Sequence, residues 1–140
     1  MSDHAPMRGH AEYRASRSAA MLLGVALWAA SLNAHSELVE IVWKDSNRFD
    51  RTMTVAPGKF AELCGSLGAG KAVTWSFDAD GDLNFNIHYH VGKEVRYPSR
   101  LDRVRRSEGE LAVDLAQDYC WMWTNKSAVA AKLAVQLVLK

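Results

Sequence analysis

Between Leu83 and Val91 apolar and polar side chains alternate without a break. Leu83, Phe85, Ile87, Tyr89 and Val91 take one face, and Asn84, Asn86, His88 and His90 take the other. Only an extended backbone sets every second residue on the same side, so the stretch is predicted to be a half-buried strand. Val73, Trp75 and Phe77 repeat the pattern upstream, and the intervening Asp78–Asp82 holds an Asp-Gly pair suited to a tight hairpin turn. Shorter runs follow the same grammar. They are Leu38–Trp43, Thr52–Val55 closed by Pro57-Gly58, and Glu94–Tyr97, which a Gly92-Lys93 turn precedes and Pro98 stops. Leu111–Leu115, Tyr119–Trp123 and Leu133–Leu139 complete the set; Phe60–Leu67 fits either strand or two helical turns and is read as strand. The prediction is an all-β chain, an antiparallel β-sandwich or jelly roll of about 7–8 strands.

The first third reads differently. A polar stretch with Arg8, Arg14 and Arg17 runs into the apolar block Ala19–Ala30, and Ala34 follows as a small residue for cleavage. A basic region, a short apolar core and a small-residue exit form the secretory signal pattern. Residues 1–34 are therefore read as a leader and 35–140 as one domain. Removing three arginines from 17 bases, and Asp3 and Glu12 from 16 acids, leaves 14 of each. Such a balance offers no one-signed field for nucleic acid, and no apolar run reaches the roughly 20 residues that span a bilayer. The expected location is the periplasm or the exterior.

Export bears on Cys64 and Cys120, the only cysteines. An even count in an oxidising compartment points to a bridge, with two buried free thiols as the alternative. No histidine follows either cysteine closely, so a catalytic thiol is not expected.

Pro57-Gly58, Trp75/Phe77, Phe85/Ile87 and Tyr119/Trp123/Asn125/Ser127 occur in an order that resembles the GOLD (Golgi dynamics) domain over roughly residues 50–140. That domain is found in secretory-pathway cargo receptors and some lipid-transfer-like proteins. The resemblance implies a compact β-sandwich that binds proteins or lipids and performs no chemistry. It also implies a disulfide near Cys64 and Cys120, although Cys120 precedes Asn125 by more than the family's usual interval. The coiled coil and membrane helix of the cargo receptors are not seen after Leu139, so only the fold is carried over.

His88 and His90 are the sharpest chemical feature. On a strand, i and i+2 side chains lie about 7 Å apart on one face and can converge on a ligand or a metal. Two imidazoles suit copper or another transition metal but leave the site incomplete. Glu94 would complete it as the first half of a cupin-like motif; His35, as the mature terminus, would complete it through its amine and ring. The competing reading is a solvated polar face with Asn84 and Asn86 beside the histidines, able to touch a ligand without metal. Asp78, Asp80, Gly81 and Asp82 lack the EF-hand spacing, with glycine fourth rather than sixth. Arg96, Arg100, Arg103, Arg105 and Arg106 crowd one stretch, read as a solvated loop-like edge that could meet an anionic partner.

No nucleophile elbow, phosphate loop or Ser-His-Asp order is present, so an enzyme is not expected. The sequence reads as an exported, non-catalytic binding module for a protein, lipid or glycan. The alternative is a periplasmic copper-type metal-binding protein using His88 and His90 with His35 or Glu94.

Overall fold

The computed structural model describes residues 35–140, so the leader read at 1–34 lies outside the described residues. Seven strands account for the described chain: β1 (Glu37–Glu40), β2 (Arg48–Val55), β3 (Phe60–Leu67), β4 (Ala72–Val91), β5 (Glu94–Ala112), β6 (Gln117–Thr124) and β7 (Ala131–Leu139). They form one sheet in the order β1-β3-β6-β4-β7-β2, with β5 on the other edge of β4. The all-β expectation holds, and Phe60–Leu67 is a strand. One pairing departs from the antiparallel prediction, since β1 runs parallel to β3. Among the described residues, no helix is long and apolar enough to cross a membrane.

The sheet folds into two facing layers because β4 belongs to both. Its first half, Val73–Ala79, pairs with β7, while its second half, Asn84–His88, pairs with β6. Phe77 and Phe85 are eight residues apart, a span of about 26 Å in a straight strand at about 3.3 Å per residue. Their ring centroids nevertheless lie 4.9 Å apart. The strand must therefore turn a corner between them. Trp75 meets Phe85 at 4.9 Å and Trp123 meets it at 5.3 Å, so an aromatic cluster fills the space between the layers. Trp121, Trp123, Leu63, Leu133 and Leu137 are wholly buried around it. Opposite the layer boundary, Arg51 of β2 reaches Glu37 of β1 at 2.7 Å and helps draw the two ends of the sheet together.

Two predicted stops are not stops. Asp78–Asp82 is no hairpin turn but the corner itself, inside an unbroken β4. Asp80 Oδ1 accepts the Lys132 amide at 2.7 Å, Arg106 donates to Asp78 at 2.6 Å, and Arg105 donates to Asp82 at 2.7 Å. At Gly81 a Cβ would stand 3.2 Å from the Cβ of Ala131, so the small residue admits β7 at the bend. Pro98 likewise lies within β5, where the register slips between the Ile87–Ser99 and Tyr89–Arg96 pairs. A bulge on an edge strand needs no amide from proline. The arginine-rich stretch is thus ladder rather than loop. The Gly92-Lys93 turn does form the hairpin that joins β4 to β5, with Gly92 at φ 60°.

Gly109 faces Trp75 across the β4–β5 ladder, and a Cβ there would come within 2.7 Å of the indole Cζ2. Gly109→Ala is expected to displace the ring and cost about 1–3 kcal/mol. Urea unfolding followed by tryptophan fluorescence reads this; an unchanged midpoint would place the ring elsewhere.

Candidate functional site

The cysteines sit opposite each other in the β3–β6 ladder and are bonded, with Cα atoms 4.1 Å apart. The bridge lies on the outer face of the layer built from β1, β3, β6 and the second half of β4. Period two sends Ala61, Leu63, Trp121, Trp123, Phe85 and Ile87 inward, and Glu62, Met122, Asn86 and His88 outward.

His88 was expected to be solvated, and it is not. It retains only 8% exposure. Its Nδ1 lies 2.8 Å from Asn86 Oδ1 and its Nε2 lies 3.2 Å from Glu62 Oε1. The rings of His90 and Tyr97 pack at 5.5 and 6.0 Å from its own and cover it. Both ring nitrogens already face oxygens, so neither can present a lone pair to a metal without losing a partner. His90 is exposed. Glu94 is engaged with Arg96 at 2.7 Å, and His35 lies exposed at the start of the described chain. Neither joins His88 and His90 in a ligand-distance cluster; the one such grouping among the described residues is Glu62 with Cys64 and Cys120, whose sulfurs are spent in the disulfide. Asn84 is also committed, its Oδ1 accepting the Arg103 amide at 3.1 Å. Of the four residues expected to contact a ligand, His90 alone projects freely.

Of what projects beside it, sequence singled out only Arg100, as one of the five clustered arginines. Val95 and Tyr97, exposed by 38% and 45%, stand on the His90 face at the free end of the β4–β5 hairpin. The Arg100 guanidinium lies 4.5 Å over the Tyr97 ring, an arrangement that fixes both side chains. Tyr97 and Arg100, with Val95 and His90 on the same face, thus form one patch, whose aromatic and arginine groups are the residue types enriched at protein interfaces. Sequence alternation could not show this, because Tyr97 stands next to Pro98 at the bulge.

The electrostatics of the hairpin are largely settled internally. Arg96, Arg105 and Arg106 each have a carboxylate partner. The hydrogen bond from Arg105 holds the Asp82 carboxyl below its usual range, and Arg48 does the same for Asp50. On the opposite layer, a trough of roughly 570 Å³ runs over Ser76, Ala134 and Gln136 between those paired charges. It contains no exposed aromatic platform and no unpartnered cation among the described residues.

No protein-family model matches the chain, and no curated protein matches it in sequence. Its fold is similar to solved structures. The periplasmic inhibitor of g-type lysozyme PliG from Aeromonas hydrophila superposes with a TM-score of 0.59 at 10% identity, covering 76% of this chain and 98% of that one. The Salmonella Typhimurium PliG gives 0.56 at 15% identity, covering 75% and 99%. A pre-peptidase C-terminal domain of collagenase from Bacillus anthracis gives 0.55 at 11% identity, covering 77% and 99%. Identities this low establish the shared β-rich, two-layered fold and nothing finer.

Proposed function

We propose that this chain is an exported, non-catalytic module that binds a protein through the patch around Tyr97, and that its partner is a g-type lysozyme. The observation that carries the reading is the exposed Val95–Tyr97–Arg100 surface on one face of the β4–β5 hairpin. Likeness of fold over nearly the full length of PliG supports a protein ligand over a lipid or glycan. Export is supported by the leader pattern at 1–34 and by the disulfide. The GOLD resemblance enters this reading as a likeness of fold only. His88 is assigned a supporting role, packing beneath Tyr97 rather than ligating metal.

The test is clearance of a peptidoglycan suspension by a g-type lysozyme, with and without the disulfide-bonded chain starting at His35. Inhibition at near-stoichiometric amounts is expected. Tyr97→Ala should weaken it by at least about tenfold, as loss of an aromatic anchor does. Undiminished clearance, with no complex in a direct titration, rejects the lysozyme; equal inhibition by Tyr97→Ala rejects the patch.

A further inference from the structure

A second feature lies beside the patch, where β5 passes the loop between β6 and β7. Here β5 places Asp102 and Arg103 opposite the single residue Asn84, since Val104 pairs with Leu83 and Leu101 with Phe85. Arg103 adopts φ 56° in this bulge, a left-handed conformation normally left to glycine. Such a conformation persists only where the surrounding structure holds it. The Asn84 side chain holds the Arg103 amide at 3.1 Å.

Arg103, Arg100 and Lys126 line one cleft of about 690 Å³. None of the three has an ion-pair partner among the described residues, whereas Arg96, Arg105 and Arg106 on the same hairpin all do. One side chain and two backbone positions are fixed. The Arg100 side chain is stacked on Tyr97, the backbone of Arg103 is held in the bulge, and that of Lys126 lies between wholly buried Asn125 and Ser127, which is bonded to it. Two carboxylates share the wall: Asp82, already engaged by Arg105, and Asp102. They oppose a dianionic phosphate more than a singly charged carboxylate. The volume exceeds that of one small ion and falls in the range of sites for several side chains.

We propose that this cleft binds carboxylate side chains of an acidic peptide segment in a protein partner. The proposal rests on the protein-binding reading above but not on the lysozyme. Three clustered cations receive adjacent acidic groups of the segment, while the Tyr97 patch packs against apolar residues flanking it.

A hexaglutamate peptide is the probe, titrated into the disulfide-bonded chain starting at His35 and followed by amide chemical shifts. Saturable shifts are expected at Asn84, Arg103 and Ser127. Inorganic phosphate and phosphatidylglycerol vesicles are parallel arms, and both should bind more weakly. The double variant Arg103→Gly with Lys126→Ala should lose affinity at least about tenfold. Glycine relieves the left-handed strain, so its melting temperature should be retained, and folding is thereby separated from binding. Arg106→Gln, on the opposite layer, should bind as the parent does. Absence of saturable shifts, unchanged affinity in the double variant, or tighter binding of phosphate or vesicles would overturn the proposal. Hexaglutamate binding without lysozyme inhibition would leave this inference standing and remove the lysozyme; inhibition without peptide binding would do the reverse.

Discussion

Asn125→Ala is expected to lower the unfolding free energy by about 3–4 kcal/mol, because it removes four hydrogen bonds of a wholly buried side chain at once. The Asn125 amide donates to the carbonyls of Val55 at 2.9 Å and Val129 at 2.8 Å. Its Oδ1 accepts from the Ser127 amide at 2.9 Å and the Ser127 hydroxyl at 2.8 Å. Its own backbone bonds Lys59 and Gly58, on the far side of the Pro57-Gly58 turn. One buried residue thus ties the end of β2 and the β6–β7 loop together through its side chain, and the β2–β3 turn through its backbone. Asn125→Asp should be at least as damaging at neutral pH, since it turns an oxygen toward two carbonyls where a donor stood. Ser127→Ala, which removes only one of these partners, should cost about 1 kcal/mol. Urea unfolding at equilibrium decides the matter. A loss below that of Ser127→Ala would show that Asn125 is not the keystone described.

The second large effect is removal of the disulfide. Cys64 and Cys120 enclose a separation of 56 residues, for which the chain-entropy model gives about 4 kcal/mol. A domain of this size holds a margin of some 5–10 kcal/mol. The double variant Cys64→Ala, Cys120→Ala should therefore remain folded in buffer but unfold at much lower urea. Its unfolding slope should rise, because the unlinked chain expands further and exposes more surface. A midpoint within error of the parent would show that the bond's restriction of the unfolded chain adds nothing to stability.

The strands were legible because burial on one side imprints period two on the sequence. Leu83–Val91 and Tyr119–Trp123 needed no other information, and the inward set Trp121 and Trp123 follows from it directly. The misread positions share one cause. Asp78–Asp82 and Pro98 carry strong local turn chemistry, yet their conformation is decided by strands distant in sequence. Lys132, Arg105 and Arg106 bond the acidic segment into a corner, and the edge position of β5 lets proline sit at a bulge. The site shows the same division. That His88 and His90 share a face was readable; that Glu62 of β3 would meet His88, and Tyr97 cover it, required knowing which strands adjoin. Asn125 was visible only as one letter of a motif, and its role became physical once the turn at Gly58 was placed against it.

The corner in β4 also governs how the molecule can come apart. A sandwich whose layers are made of separate strands can lose one layer and keep a remnant of the other. Here the same twenty-residue strand is the seam of both, flanked along its length by β5. Detaching either half would strip the aromatic cluster from its partner, so partial opening has no stable resting place, and the domain behaves as one all-or-none unit.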